Sequence, residues 1–263
     1  MAGKLSAIIA VAGPAERFGG LEQLKAKVGG KSVICHSLDM FEADDDCHEI
    51  ILVVNPDTRA WIEGDPLTFA SGKMKLVDGG ASRAESIAAG VKAASGELIA
   101  LHDGNRPNFR SDLIQDLKQV VLPERGVVPA VEMHNALAYV TRIGADGDQN
   151  GDASVTDFFG GKQQDPRVGH IMEHIDADGV FVLQTPQLYY RASFLDAITQ
   201  AGGKLAEYSD DSALYVAAGY EVSVVDGWLG NIKVVTPKEF NLLIKLMGGG
   251  TKKRKDKYGG LGW

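Results

Sequence analysis

The sequence predicts an α/β protein of three layers, in which a mostly parallel sheet carries helices on both faces. Short apolar or β-branched runs, such as 6–11 and 49–54, alternate with segments of helical spacing, such as 33–41 and 83–94. This alternation is typical of parallel sheets, because each crossover helix returns the chain to the same edge. Short polar motifs also follow several predicted strands, and open α/β sheets bind ligands beyond the carboxyl ends of their strands.

The same apolar runs and helical spacings predict the individual strands and helices. The predicted strands are 6–11, 49–54, 74–77, 98–102, 126–131, 180–183 and 222–225. The predicted helices are 33–41, 58–64, 83–94, 112–121, 192–201, 211–218 and 237–247.

One segment, from 132 to 178, interrupts the alternation. It is polar, rich in Gly and Asp, and contains a short β-like run at 138–142. A structureless loop of this length is uncommon inside a compact domain, so we interpret 132–178 as an extended arm or a small subdomain. The expected organisation is one catalytic domain at 1–247 that carries the arm, followed by a basic tail at 248–263 that is expected to be disordered.

Composition narrows the class of protein. The chain has 263 residues, of which 44% are hydrophobic and 24% charged, as in ordinary soluble globular proteins. No apolar run approaches the roughly 18 residues of a membrane span, so no membrane partner is expected. Its cysteines, Cys35 and Cys47, offer no disulfide framework, which favours a cytoplasmic location. The net charge is −8, and because the basic tail carries +4 the remainder carries −12, which argues against nucleic-acid binding.

Six polar motifs carry the chemistry. They are Ala-Gly-Pro-Ala-Glu-Arg-Phe-Gly-Gly (12–20), Gly-Gly-Ala-Ser-Arg (79–83), His-Asp-Gly-Asn-Arg-Pro (102–107), Gln-Thr-Pro-Gln (184–187), Ser-Asp-Asp-Ser-Ala (209–213) and Asn-Ile-Lys (231–233). Gly, Arg, Lys, Asp and Thr suit a phosphorylated, nucleotide-like ligand. The first motif is a strand-to-helix turn whose backbone N–H groups and Arg17 would hold phosphates, or it is only a structural turn.

The motif at 102–107 also has two interpretations. Asp103 at a strand end is well placed to meet a Mg²⁺–phosphate complex, since Mg²⁺ prefers one or two carboxylates plus substrate oxygens. The alternative is a β-turn built from Asp, Gly, Asn and Pro, although such a turn does not require Arg106. Taken singly, Lys233 is equally consistent with a surface charge. Thr185 is equally consistent with a residue that caps a turn.

A further motif matches the calcium-binding loop pattern. Residues 146–157 have oxygen-bearing side chains at the ligand positions of such a loop and a Gly at its sixth position. The last position holds an Asp and not the usual Glu. The predicted Ca²⁺ ligands are Asp146, Asp148, Asn150, Asp152 and Asp157. The alternative is an acidic surface loop inside the arm.

In their order along residues 5–247, these motifs resemble the 2-C-methyl-D-erythritol 4-phosphate cytidylyltransferase family of isoprenoid precursor biosynthesis. The resemblance implies a nucleotide-diphospho-sugar-transferase-like (Rossmann-like) fold, CTP and a polyol phosphate as substrates, Mg²⁺ as cofactor, and a homodimer joined through the arm. By resemblance the catalytic residues are Arg17, Lys25 and Lys233. The implied nucleotide-binding residues are Ala12, Gly13, Gly79, Gly80, Arg83, Ser86 and Asp103, the last also meeting Mg²⁺ through the nucleotide. The implied acceptor-binding residues are Arg106, Thr185 and Asp210.

The chain departs from the family pattern at several positions. Pro14 and Ala15 alter the first loop, and the family's transition-state Lys aligns at Gln23, so Lys25 rather than Lys27 is expected to replace it. The Arg that binds the acceptor phosphate aligns at Ala177. Two alternatives therefore remain open: a cytidylyltransferase for another polyol phosphate, such as ribitol 5-phosphate, and a catalytically degenerate nucleotide-binding homologue.

Overall fold

A computed structural model describes residues 4–11, 21–65, 69, 71–143 and 168–248. Its strands are β1 Leu5–Ala10, β2 Lys27–Val28, β3 Lys31–Ser32, β4 Cys47–Val54, β5 Met74–Asp78, β6 Leu98–Asp103, β7 Arg125–Glu132, β8 Leu137–Ile143, β9 Val168–Ile175, β10 Phe181–Leu183, β11 Gln187–Tyr190 and β12 Glu221–Asp226. Its α-helices are α1 Leu21–Lys25, α2 Val33–Glu42, α3 Pro56–Glu63, α4 Arg83–Ala93, α5 Leu113–Val120, α6 Arg191–Ala201, α7 Asp211–Ala217 and α8 Pro237–Gly248.

The central sheet has eight strands, and most of them are parallel. From β5 it runs through β4, β1 and β6 to β11 and β7, and β7 also pairs with β10 and β12. Only β10 and β11 run antiparallel to their neighbours. Val127 of β7 lies opposite both Ser223 and Leu188, so β12 and β11 flank β7 on opposite sides. The predicted mostly parallel α/β fold is confirmed.

Helices cover both faces of this sheet, as predicted. Side chains of one strand point alternately to the two faces. Accordingly, Ile9 of β1 packs with the core that includes Ile34 of α2, whereas Ile8 packs with the core that includes Ile87 of α4. Helix α4 approaches the sheet closely at Gly90, where an added Cβ would lie 2.5 Å from Ile8 Cγ2. A larger residue at this position would push the helix away from β1.

The arm contains a separate two-stranded sheet. Strands β8 and β9 pair antiparallel, which confirms the β-like run predicted at 138–142. The ladder is irregular after Tyr139, because Tyr139 pairs with Glu173 while Val140 pairs with Ile171. The predicted calcium loop, 146–157, lies outside the described residues, as do the first polar motif at 12–20 and the tail from 249.

The sequence analysis did not predict four other elements of the structure. They are α1, the β2–β3 hairpin, β9 and β11. Among the residues that the structure describes, no helix has the length and apolar character needed to cross a membrane.

A buried carboxylate stabilises the amino-terminal edge of the sheet. Glu49 Oε1 accepts hydrogen bonds from Ser6 Oγ at 2.6 Å and from the Ser95 N–H and Oγ at 2.6 and 2.7 Å. Its Oε2 accepts from Lys75 Nζ at 2.5 Å. Burial by itself raises the pKa of Glu49, but the hydrogen bonds from Lys75, Ser6 and Ser95 outweigh it and lower the pKa to about 2.

We expect Glu49→Gln to lower the free energy of unfolding by about 2 kcal/mol at neutral pH, because the amide leaves buried donors unpaired. A carboxylate with a depressed folded-state pKa stabilises the fold above its unfolded pKa of about 4.3. That contribution is lost as pH falls towards about 2. Urea unfolding at pH 6 and pH 3 should therefore show a smaller gap between wild type and variant at pH 3. Glu63→Gln, at an exposed glutamate, is the control, and an equal gap at both pH values would contradict the prediction.

Candidate active site

Predicted site residues converge at the carboxyl edge of the parallel strands. Asp103 is the last residue of β6, and Arg83 opens α4 just after the Gly79–Gly80 turn that follows β5. Lys233 follows β12 in sequence, and its Nζ reaches Asp103. These residues are far apart in sequence and meet because parallel strands end at one edge of the sheet.

The Asp103 carboxylate is the centre of this group. It is buried, with 7% of the residue exposed. Oδ1 accepts from Arg83 Nε at 3.0 Å, and Oδ2 contacts Lys233 Nζ at 2.9 Å and Arg106 Nε at 3.4 Å. Burial by itself raises the pKa of Asp103, but the charges of Arg83, Lys233 and Arg106 outweigh it and hold that pKa well below its usual range. Asp103 is therefore ionised at all physiological pH values.

Arg83 connects Asp103 to a second buried carboxylate. Its two terminal nitrogens donate to both oxygens of Asp211 at 2.9 and 2.8 Å, while Nε serves Asp103. Such bidentate pairs fix geometry as well as charge. Burial by itself lowers the pKa of Arg83, but the charges of Asp211 and Asp103 raise it above that of an ordinary guanidinium. The predicted nucleotide-binding Arg83 thus ties α4 to both β6 and α7.

Arg106 is held by backbone carbonyls in addition to Asp103. Nη1 donates to the Asn231 carbonyl at 2.9 Å and Nη2 to the Leu183 carbonyl at 3.4 Å. These contacts bring β10 and the 231–233 segment to the same edge. The predicted acceptor-binding Arg106 is buried, whereas the Lys233 side chain is 41% exposed. Of the three cations, Lys233 is the most accessible to a ligand.

Thr185 and His102 form a hydrogen-bonded chain beneath this cluster. Thr185 Oγ1 accepts from the Asp103 N–H at 3.1 Å and lies 3.0 Å from His102 Nδ1. His102 Nε2 lies 3.0 Å from the Arg106 carbonyl oxygen. The predicted acceptor-binding Thr185 is buried, and most of its bonding capacity is used inside the protein. Its role toward a ligand remains a prediction.

The segment that carries Lys233 is tied down by two amide side chains. Gln184 Nε2 donates to the Trp228 carbonyl at 2.9 Å, and Gln184 Oε1 accepts from the Trp228 N–H at 3.1 Å. Asn231 Nδ2 donates to the Thr185 carbonyl at 2.8 Å, while Asn231 Oδ1 has no partner among the described residues. These bonds fasten the segment that leads to Lys233 onto the loop between β10 and β11.

Internal hydrogen bonds also stabilise the turn at Gly79–Gly80, which is predicted to bind the nucleotide. Ser86 Oγ accepts from the Gly80 N–H at 3.1 Å and donates to the Ser82 carbonyl at 2.9 Å. At Gly80 an added Cβ would lie 2.4 Å from Glu85 Cβ, so a larger residue would displace the turn. The Gly79 N–H donates to the Val54 carbonyl at 2.9 Å. Gly79, Gly80 and Ser86 therefore lie beside Arg83, where the resemblance places the nucleotide.

The remaining predicted residues do not bond to Asp103 within the described residues, or they lie outside the described part. Asp210 caps α7 by accepting from the Ser212 N–H at 2.8 Å and also accepts from Gln187 Nε2. Lys25 pairs with Glu22 at 3.1 Å and lies over the Trp61 ring, and within the described residues it does not join the Asp103 cluster. Ala12, Gly13, Arg17 and the five predicted calcium ligands lie outside the described residues.

Four contributing residues were not predicted as site residues. They are His102, Gln184, Asp211 and Asn231, and all four are buried. Each lies within one of the six polar motifs, two or fewer positions from a predicted residue. Their presence in the motifs was the signal in the sequence that could have identified them as site residues. The partners of their side chains are 4 to 128 residues away along the chain, and sequence spacing does not reveal such contacts.

The described residues do not form a metal site by themselves. No group of three or more His, Cys, Asp and Glu side chains in the described ranges is arranged to hold a metal. Asp103 is bonded to three cations, which would repel a bare dication. Mg²⁺ commonly keeps several waters and binds through one or two carboxylates plus substrate phosphates. The residues present thus fit a Mg²⁺ ion that arrives on a nucleotide and not one that the protein binds alone.

We expect Arg83→Lys to lower the free energy of unfolding by about 3 kcal/mol, because an ammonium cannot pair with both Asp103 and Asp211 and one buried carboxylate loses its partner. Urea unfolding measures the change. Arg59→Lys is the matched control, since Arg59 also bridges two carboxylates, Glu63 and Asp78, but both are exposed. It should change stability little. Equal effects of the two substitutions would show that burial of the Arg83 ion pairs does not increase their contribution to the free energy of unfolding.

Comparisons with known proteins identify the family of this chain. A family model described as IspD, 2-C-methyl-D-erythritol 4-phosphate cytidylyltransferase, matches residues 5–149 and 153–247. The enzyme of that name from Cereibacter sphaeroides is 32% identical over 89% of this chain and 93% of its own length. The one from Geobacillus kaustophilus is 28% identical over 89% of this chain and 92% of its own length.

A solved structure leads to the same family. The 4-diphosphocytidyl-2C-methyl-D-erythritol synthase of Anaerococcus prevotii superimposes with a TM-score of 0.69 and 25% identity, covering 93% of this chain and 96% of that one. The structure of the Thermus thermophilus cytidylyltransferase, at 22% identity and a TM-score of 0.65, shares the fold. The family model covers most of the chain, and the Asp103 cluster is built from the motifs that suggested the resemblance. The chain belongs to the IspD family of 2-C-methyl-D-erythritol 4-phosphate cytidylyltransferases.

Proposed function

We propose that this protein transfers a cytidylyl group from CTP to 2-C-methyl-D-erythritol 4-phosphate and releases pyrophosphate, a step of isoprenoid precursor biosynthesis. The observation that carries the proposal is the convergence of Arg83, Arg106 and Lys233 on Asp103 at the carboxyl edge of the sheet. The relatives named above bear this one activity in their names, which does not favour ribitol 5-phosphate as acceptor or a degenerate homologue.

The cluster suits a reaction between two phosphorylated substrates. The acceptor's phosphate oxygen attacks the α-phosphorus of CTP, and the bond to the leaving pyrophosphate breaks. Both reactants are anionic, so the protein's main tasks are to position them and to neutralise charge. Lys233, the most exposed of the three cations, can turn from Asp103 to a substrate phosphate, while Arg106 orients the acceptor from its buried position.

The other predicted residues have complementary roles in this proposal. The turn at 79–80, Ser86 and Arg83 lie where the cytidine would bind, and Ala12, Gly13 and Arg17 would hold the triphosphate. Lys25 would add positive charge by leaving Glu22. Mg²⁺ bound to the triphosphate would neutralise part of its charge, with Asp103 as the nearby carboxylate. Thr185 and Asp210 would complete the acceptor side.

We expect Mg²⁺-dependent release of pyrophosphate from CTP in the presence of methylerythritol phosphate, and we expect Lys233→Met to lower kcat about 10²-fold by removing one preorganised positive charge. A coupled pyrophosphate assay measures both. Lys238→Met, at an exposed lysine of α8, is the control and should retain wild-type turnover. Folded wild-type protein that releases no pyrophosphate with any polyol phosphate would refute the proposed function.

We also propose that the arm joins two copies of the chain. Large apolar side chains on this ribbon are exposed, among them Tyr139 at 63%, Val140 at 52%, Ile171 at 61% and Met172 at 66%. Val140 and Ile171 face each other across the ladder and so lie on one face. An exposed apolar patch of this kind commonly marks a protein interface.

In the dimer proposed here, Ile171→Asp would place a charge in the apolar interface and shift the protein to monomer. Sedimentation velocity measures the change. Leu242→Asp, on the exposed part of α8, is the matched control and should leave the sedimentation unchanged. A wild-type protein that is monomeric at micromolar concentration, or a dimer that survives Ile171→Asp, would contradict a dimer joined by the arm.

Two further expectations remain proposals. The free, buried thiols of Cys35 and Cys47 are compatible with a reducing cytoplasm. The acidic loop at 146–157 is proposed to bind Ca²⁺ within the arm, where calorimetry with and without chelator would detect it.

A further inference from the structure

His102 is a buried ionisable side chain that the proposed chemistry leaves without a role. It is the residue before Asp103 in β6, and none of its surface is exposed. No substrate can contact it directly in this arrangement. Its ring is nevertheless bonded at both nitrogens to segments that carry site residues.

The direction of these hydrogen bonds follows from the chemistry of the groups. The Arg106 carbonyl oxygen can only accept, so His102 Nε2, at 3.0 Å, must carry the proton. Nδ1 of the neutral ring then has a lone pair and accepts the Thr185 hydroxyl proton at 3.0 Å. Thr185 Oγ1 in turn accepts from the Asp103 N–H at 3.1 Å. A single directed chain therefore runs from the backbone of Asp103 to the backbone of Arg106.

The surroundings of the ring favour its neutral form. Phe41 and Phe109 pack edge-on against it, with ring centroids 5.4 and 5.0 Å from that of His102. The ring is fully buried, and burial away from water disfavours a charged imidazole. A charged ring would carry a second N–H facing the Thr185 hydroxyl and would break the chain at that point.

We infer that His102, as its neutral Nε2–H tautomer, is a positioning residue for cytidylyl transfer. It fixes the direction of the Thr185 hydroxyl and closes the turn between Asp103 and Arg106, and so it sets the relative position of the Asp103 carboxylate and the Arg106 guanidinium in the cluster. This inference rests on the proposed function for its kinetic consequence, but the hydrogen-bonded chain exists independently of any substrate.

The first test uses nitrogen-detected NMR of the histidine rings and needs no substrate. We expect the ring whose signals disappear in His102→Gln to be in the Nε2–H tautomer at pH 7. Thr185→Val, which keeps the side-chain shape but removes the hydroxyl, should shift the Nδ1 signal of that ring. An Nδ1–H tautomer, a charged ring, or an unchanged Nδ1 signal in Thr185→Val would overturn the inference even if the enzyme is active.

The second test is kinetic and requires the active enzyme. We expect His102→Gln to lower kcat about 10²-fold, since a misplacement of about 1 Å at reacting groups costs that much, while KM for CTP changes little. Combined with Thr185→Val it should cost little more than either single substitution, because both break one chain. If His102→Gln does not fold, His102→Asn, whose side-chain oxygen can take the place of Nδ1, replaces it.

His48→Gln is the matched control. His48 also bonds a backbone carbonyl, that of Leu5 at 2.8 Å, and a hydroxyl, that of Ser95 at 3.0 Å, but at the opposite edge of the sheet. Its substitution should leave kcat unchanged. A His102 variant that melts at a lower temperature but has full activity per folded molecule would show a structural role only, as would additive losses in the double variant. Absence of turnover in the wild-type protein refutes the proposed function. The NMR result still shows whether the hydrogen bonds of His102 and Thr185 exist.

Discussion

The sharing of one buried carboxylate, Asp103, among three cations is the interaction on which the site depends. Arg83, Arg106 and Lys233 would repel one another at such short separations, and the carboxylate makes their approach favourable. These cations come from the start of α4, the turn after β6 and the segment after β12. Their common partner therefore brings three separate parts of the chain to one point before any substrate binds.

A layer of neutral hydrogen bonds keeps this charged cluster in place. Gln184 and Asn231 fasten the segment that leads to Lys233, and His102 with Thr185 holds the turn that carries Asp103 and Arg106. Neutral groups can do this without adding charge to the site. The three cations thus remain available to attract an anionic substrate, while uncharged neighbours set their angles.

The opposite edge of the sheet also holds a buried carboxylate, but one with different partners. Glu49 is also a buried carboxylate with a lowered pKa, but its partners are largely hydroxyl and amide donors. Within the described ranges its lysine partner is Lys75 of the neighbouring strand β5, and the ligand-binding end of a parallel sheet lies at the other edge. A depressed carboxylate pKa therefore occurs at a structural site at one edge and at the candidate active site at the other, and the two differ in their location on the sheet.

How well the sequence predicted each element depended on burial. Strands β1, β4 and β6 are covered on both faces and read as continuous apolar runs, so they were predicted nearly to their ends. β9 and the two-residue strands β2 and β3 were missed, because an exposed ribbon carries no strong apolar pattern and a two-residue strand has no period. β11 was missed because Gln187 begins it and its pairing partner β6 lies far back in the chain.

By itself the sequence determined the α/β class, the order of the main elements, the family and the residue types at the site, because these depend on local periodicity and on short contiguous motifs. Only the tertiary structure decided that Asp103 holds three cations, that Arg83 also pairs with Asp211, and that His102 joins Thr185 to Arg106. It also separated Lys25 from this cluster within the described residues. Distances between motifs that are far apart in sequence depend on strand order and register, which arise when the sheet packs and not from any local pattern.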